Sequence, residues 1–411
     1  MSDISTARQP SATGQDAAPL PTAVVVGGGF GGYYASRELT RHGIATTLVD
    51  ATGFQTFQPL LYQAATGLVR ASDVEFPLGE LRDVDVVTDR VAAVDLGTRT
   101  LTLASGATTT ADHVVIATGA VVNFFGVEGA AEHAYPLYTS GDGARIKEQL
   151  QRLVESGKPF SVVVVGAGDT GVEVTGALLD VLESALPRTY PGFTRDRASV
   201  HLVDHGAAPL AHMTPGSQRY AEDQLNAAGV TFHLGTSVTG VDDRGVELDG
   251  TTRIDSQLVI WAGGLTVSTP SLDPATKTNR GRIVVDEYLR VPGARGVYAI
   301  GDCAADETAP LPQLGAVAKQ QGLYLGKSIA RMRAGKAPKA FKYRDMGDMA
   351  MVRAGAAVVE IDGGHIKLDG PSAFATWLGL HAYLLPSEHH RADAVHGWVH
   401  EWRTGSAEFL T

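Results

Sequence analysis

Two short glycine clusters carry the spacing best suited to chemistry. In Gly27-x-Gly29-x-x-Gly32 the first glycine suits a tight strand-to-helix turn, the second admits a ligand against bare backbone, and the third lets helix and strand pack closely. The apolar run Ala23 to Val26 precedes the turn, and Thr46-Thr47-Leu48-Val49-Asp50 follows it, placing a carboxylate 18 residues past the last glycine. Backbone N–H groups at such a turn bind phosphate, and an acid at that distance suits a ribose hydroxyl, so the segment reads as dinucleotide-binding. Gly166-x-Gly168-x-x-Gly171 repeats the pattern after Ser161 to Val165. Its acid, Asp204, closes the run Val200 to Asp204, farther off because Pro187 to Arg197 reads as an insertion. Asp204 would accept a bond from a ribose 2'-hydroxyl and repel a 2'-phosphate, favouring NADH over NADPH; alternatively it only ends a strand, with His205 beside it.

The elements that must hold these turns follow from the apolar runs. Continuous β-branched stretches suit strands buried on both faces of a parallel sheet, which predicts an α/β fold with two Rossmann-like dinucleotide-binding domains. Val84 to Val87 and Asp112 to Ile116 add strands to the first domain, the latter ending at Ala117-Thr118-Gly119. The second domain runs to Leu258-Val259-Ile260-Trp261-Ala262-Gly263-Gly264, after which Ile283 to Asp286 and Val297 to Ile300 return to the first. The expected organisation is a disordered tail over 1–21, the first domain over 22–120 and 266–340, the second inserted at 121–265, and a small C-terminal domain over 341–411.

Composition narrows the function. A net charge of -11 offers no basic surface for nucleic acid. The opening residues lack the cationic and apolar regions of a signal peptide, and no apolar stretch approaches the roughly 18 residues of a spanning helix, so a cytoplasmic protein is expected. The single cysteine, Cys303, excludes a dithiol within the chain, and no cation near it in sequence would activate its thiol. Two nucleotide sites are most economically filled by one bound cofactor and one diffusing substrate, and flavin beside nicotinamide allows direct hydride transfer. Gly301-Asp302 would set a carboxylate near the first nucleotide, although alone it is an ordinary turn. Glu173, in the first turn of the second nucleotide helix, either orients a nicotinamide amide or merely complements the helix N-terminus.

With these marks in view, the chain from about Ala23 onward resembles the type II NADH:quinone oxidoreductases. The likeness rests on Val24 to Gly32, Phe57-Gln58-Pro59-Leu60-Leu61-Tyr62-Gln63-Ala64-Ala65-Thr66-Gly67, Val165 to Glu173, Gly301-Asp302-Cys303-Ala304, and Phe341 to Asp345 with Met349-Ala350. The resemblance implies FAD in the first domain, NADH in the second, a quinone on the opposite flavin face, and attachment to the cytoplasmic face of the membrane without proton pumping. The expected FAD contacts are Gly27, Gly29, Phe30, Gly31, Gly32, Asp50, Gln58, Pro59, Ala117, Thr118, Gly119, Gly301 and Asp302. Those for NADH are Gly166, Gly168, Thr170, Gly171, Glu173, Asp204, Gly263 and Gly264, with Glu173 and Gln320 as catalytic residues.

The sequence departs from the family in two places. Gln320 matches the second glutamine of the family's AQxxxQ quinone motif, but the first falls on Ala316. Near the C-terminus the family's LxGFxNR-like turn reads Leu385-Pro386-Ser387-Glu388-His389-His390-Arg391. Trp377, Leu378, Leu380, Tyr383 and Leu384 predict the apolar face of one helix, and Val395, Trp398, Val399 and Trp402 that of a second. With Arg391 and Arg403 against Glu388, Asp393, Glu401 and Glu408, a homodimer face is as consistent as membrane docking. His389, His390, His396 and His400 have no acidic or cysteine partner fixed by spacing, and no metal is expected. Two rivals therefore stand beside the quinone enzyme: a soluble flavin oxidoreductase acting on a small molecule or redox protein, and a non-enzymatic FAD-bound NADH sensor.

Overall fold

The computed structural model describes residues 21–385. The predicted second C-terminal helix, the four histidines from His389 to His400 and the turn beyond Leu385 lie outside them. The first sheet is wholly parallel, in the order Val297–Ala299, His113–Ile116, Thr22–Val26, Ala45–Asp50, Val84–Thr88. Val24, Val25 and Val26 are buried in its centre, as a strand covered on both faces requires. The first glycine turn leaves the carboxyl end of this middle strand, with neighbours added on either side, where parallel α/β sheets open a crevice for ligands.

The second sheet repeats the plan: Tyr135–Pro136, Leu258–Trp261, Phe160–Val165, Ala198–Asp204, Val230–Leu234, again parallel. Between the two, Ala120–Val122 pairs antiparallel with Leu265–Val267, so the chain leaves the first domain and re-enters it through one two-stranded ribbon. The helix Asp169–Asp180 continues through a π-turn at Val181–Ala185 into Leu186–Thr189, so the stretch read as an insertion starts at the end of this helix and runs on through a loop to the short turn Arg195–Arg197.

A three-stranded antiparallel sheet, Asp348–Arg353, Ala356–Ile361 and Ile366–Asp369, begins the C-terminal part and leads into the helix Gly370–Leu384. This sheet lies on the second nucleotide helix so closely that a Cβ at Gly176 would stand 1.7 Å from the Val352 carbonyl oxygen. Arg353 fastens the contact with an ion pair of 2.7 Å to Asp180. The last helix does not keep its apolar residues on one face. Trp377, His381 and Leu385 are buried, whereas Tyr383 is 70% exposed, because the side turned to the C-terminal sheet already holds the core.

Candidate active site

The two glycine turns are near-copies in geometry. Gly27 and Gly166 hold φ of +95° and +103°, a left-handed conformation that other residues rarely adopt. A Cβ at Gly32 would lie 1.8 Å from the Gly27 carbonyl oxygen, and one at Gly171 would lie 1.7 Å from that of Gly166. At Gly29 and Gly168, by contrast, a Cβ would meet nothing within 4 Å. These open glycines begin helices that have no side-chain cap, leaving N–H groups available to phosphate. Each turn is braced by its acid: Asp50 Oδ2 accepts from the Gly28 amide at 2.7 Å, and Asp204 Oδ2 from the Ala167 amide at 2.6 Å.

Both turns border one cleft of about 400 Å³, large enough for ring-sized ligands from two sides. Of the residues singled out in sequence, Gly29, Phe30, Gly31, Gln58, Pro59, Ala117, Gly119, Gly301 and Asp302 line it from the first domain. Thr170, Glu173 and Gly264 line it from the second. Gly27, Gly32, Gly166, Gly168, Gly171, Asp50 and Asp204 shape or brace the turns without bordering the cleft, and Gly263 packs on the Trp261 ring. Thr118 donates its hydroxyl to the Ser268 carbonyl. The open Gly29, the uncapped helix and the acid brace together fit a bound dinucleotide, and the second turn has the same parts.

The electrostatics of the cleft are set by burial. The Asp302 carboxyl is pushed up by burial and drawn partly back by the Arg282 guanidinium. Tyr138, facing it, is raised to about 12 by burial and by the Asp302 charge. Glu173 accepts the Met351 amide at 3.2 Å, so the C-terminal sheet reaches into the site. Burial, reinforced by the Asp169 carboxylate, holds Glu173 well above the ordinary carboxylate range despite bonds from Met351 and Trp377. His381 also lines the cleft, stacked on Trp377 with ring centroids 3.9 Å apart and its Nδ1 2.8 Å from the Trp377 carbonyl oxygen. Burial lowers His381 to about 4, so it is neutral at neutral pH. Cys303 sits buried against the Ile116 and Ile300 carbonyls, its thiol pushed up by desolvation and poorly suited to nucleophilic chemistry.

Gln320 is not brought to the cleft. Its amide donates to the Arg344 carbonyl at 2.9 Å and accepts the Arg344 amide at 3.0 Å, a backbone clasp that occupies both polar ends. The helix Gly315–Arg333 presents Gly315 and Ala318 to the cleft instead. Sequence reasoning missed Tyr138, His381 and Met349 as residues lining the cleft. Among these only Met349 carried a signal, as part of the quoted Met349-Ala350 mark.

An α/β protein whose two glycine turns open on one cleft, without a dithiol, is a two-nucleotide flavin oxidoreductase, and the comparisons give its class. The family model for the pyridine nucleotide-disulphide oxidoreductases matches residues 21–322. The type II NADH:quinone oxidoreductase Ndh of Mycobacterium tuberculosis is 32% identical over 392 residues, covering 88% of this chain and 84% of its own. The Staphylococcus aureus type II NADH:quinone oxidoreductase is 27% identical over 347 residues, covering 79% of this chain and 85% of its own. Among solved structures, NDH2 from Plasmodium falciparum in complex with NADH superposes with a TM-score of 0.88 at 18% identity, over 94% of this chain and 99% of that one. The sulfide:quinone oxidoreductase of Aquifex aeolicus gives 0.72 at 17% identity, over 93% and 95%. The chain belongs to the type II NADH:quinone oxidoreductases; FAD is its resident cofactor and NADH its reductant.

Proposed function

We propose that the protein oxidises NADH and passes two electrons through FAD to a quinone, with FAD along Gly27 to Gly32 and NADH along Gly166 to Gly171. The observation that carries this is the convergence of two open, acid-braced glycine turns on a single cleft. Bound FAD supplies the two-electron chemistry; the chain's own residues bind, orient and manage protons. Gly29 and Gly168 admit the two pyrophosphates, and Asp302 faces the first nucleotide. On the side of the C-terminal sheet, Glu173 and neutral His381 line the cleft beside Met349, with the buried Trp377 stacked behind His381, which suits an apolar ring with carbonyl oxygens. Anaerobic NADH should bleach the yellow protein, and a soluble quinone should restore its colour. Bleaching without recovery by any of several quinones would overturn the acceptor assignment.

The 15-residue helix Gly370–Leu384 contains no Asp, Glu, Lys or Arg and leaves Tyr383 exposed, and no helix among the described residues is long and apolar enough to cross a membrane. These features support a peripheral enzyme resting on the inner face of the cell membrane, with a homodimer as the other occupant of this face. Flotation with vesicles separates the two: protein that stays in the aqueous fraction at every lipid composition removes the membrane reading. A soluble enzyme with another oxidant is the second reading, favoured by Ala316 and by the clasp that holds Gln320.

A further inference from the structure

The two glycine turns match in geometry and differ in charge. Each open glycine is followed by a residue that begins a helix and borders the cleft: Phe30 after Gly29, Asp169 after Gly168. The first helix has no acid in its first turn, whereas Asp169 sets a carboxylate there in the second. An anion at this end complements the helix, but it competes with a pyrophosphate drawn to the same N–H groups. The second nucleotide differs from the first in one respect that such a charge can sense.

It becomes positive during the reaction. NADH gives up a hydride, one proton with two electrons, to the bound FAD, and its nicotinamide ring passes from neutral to a single positive charge. The cleft that meets this ring is poor in cations: among the described residues, those bordering it include no lysine or arginine. Three acids border it, Asp169, Glu173 and Asp302. Asp302 belongs to the first domain and feels the Arg282 guanidinium. Glu173 is held well above the ordinary carboxylate range by burial, and the Asp169 charge one helical turn away adds to that rise, so Glu173 is the first of the two to take a proton. Burial also raises Asp169, but His212 draws it back with Nε2 3.3 Å from Oδ1, and 43% of the Asp169 side chain is exposed. Asp348 acts on Asp169 from the strand Asp348–Arg353, under the influence of Asp345 and Glu360, and does not itself border the cleft. Asp169 is therefore the carboxylate that presents charge to the cleft from the second domain.

We propose that Asp169 is the residue by which the second site distinguishes the oxidised dinucleotide from the reduced one: its carboxylate attracts the cationic ring left when hydride departs, and so favours NAD⁺ over NADH. The inference rests on NADH lying along Gly166 to Gly171 and makes no use of the quinone.

The test is anaerobic titration of the FAD-loaded protein after reduction with dithionite, so that NADH has no acceptor. NAD⁺ is followed by its charge-transfer absorbance with the reduced flavin, and NADH by its displacement of that band. A nearby opposite charge favours an ionic form by about tenfold or more. Asp169→Asn should therefore lower the preference for NAD⁺ over NADH about tenfold, through weaker NAD⁺ and unchanged or tighter NADH. Asp169→Pro, which suits the first position of a helix, should do the same. An unchanged ratio in either variant overturns the inference. So does loss of both forms by the same factor, which would make Asp169 a contact to ribose or backbone. His212→Gln removes the partner that offsets this charge, so the preference should hold or rise; a tenfold fall there would credit the imidazole and likewise overturn it. Gly168→Ala separates the inference from the placement beneath it. A methyl at Gly168 meets no protein atom within 4 Å, so it should weaken both forms alike by taking the room of the pyrophosphate. If it does so while Asp169→Asn keeps the wild-type ratio, the charge assignment alone fails; full-strength binding to Gly168→Ala removes the placement as well.

Discussion

Asp204 Oδ1 accepts the Gly206 amide at 2.5 Å, while its other oxygen accepts the Ala167 amide at 2.6 Å. The carboxylate thus ties the end of its strand to the glycine turn, and its charge stays at the position where a ribose bound along that turn would arrive. Asn at this position keeps an acceptor for one backbone amide and removes the charge. Asp204→Asn should therefore lower the preference for NADH over NADPH by about tenfold, read as the ratio of kcat/KM values, because a 2'-phosphate is no longer repelled. An unchanged ratio would assign Asp204 to bracing alone.

The glycines of the first turn divide into two kinds, and alanine should separate them. At Gly32 an added methyl carbon would lie 1.8 Å from backbone oxygen, which no rotamer relieves. Gly32→Ala is expected to misfold or to lose several kcal/mol, as overpacking of about 1–3 kcal/mol is here compounded by a backbone clash. At Gly29 the same methyl meets no protein atom within 4 Å. Gly29→Ala should fold with a near-native melting temperature yet retain little FAD, because the methyl takes the room of the pyrophosphate. Absorbance at the flavin band against protein, together with circular dichroism, distinguishes the two outcomes. A yellow, fully loaded Gly29→Ala would move the pyrophosphate elsewhere.

Neutral His381 makes stability depend on pH in a known direction. Its folded value of about 4 lies below the ordinary 6.5, so between these the unfolded chain binds the extra proton. Its contribution is fully present above 6.5 and is lost as pH falls toward 4. The span corresponds to about 3 kcal/mol as an order of magnitude. Replacing His381 with Gln should flatten the fall in melting temperature across that window. A pH profile parallel to that of the wild type would mean that water or movement relieves the buried imidazole.

The turns, their acids and the parallel sheets were legible because each depends on residues close in sequence: an apolar run, three glycines at fixed offsets, a carboxylate at the next strand's end. The C-terminal side of the cleft was not. Glu173 meets Met351 across 178 positions, and nothing local to either residue encodes that distance. His381 was hidden for a related reason, since in sequence it looks like one polar residue on an apolar helix, and only the Trp377 stack and the position of the helix turn it into the cleft. Gln320 shows the opposite limit. Motif position gave it a role, but helical rotation turns it to the segment at Arg344, and the backbone there satisfies its amide.

The contact that sets the C-terminal sheet against the nucleotide domain is itself testable at Glu360. Thr214 precedes the helix Pro215–Ala227 without capping it with its own side chain. Glu360 reaches this helix start from the neighbouring sheet, receiving the Thr214 amide at 3.0 Å, the Thr214 hydroxyl at 2.5 Å and the Ser217 hydroxyl at 2.6 Å. Burial alone would raise this carboxyl, but the hydrogen bonds outweigh it and hold Glu360 below the ordinary carboxylate value of 4.5. A depressed value means that the stabilisation is present above 4.5 and disappears as pH falls through the lower folded value. Glu360→Gln should cost about 1–3 kcal/mol at neutral pH, because one charged acceptor for three donors is replaced by a neutral amide. The gap in melting temperature between the two proteins should then close in acid. Since Glu173 takes its position from the same sheet, the variant should also slow quinone reduction more than flavin bleaching by NADH; equal slowing of both would show that the sheet positions nothing specific to the second step.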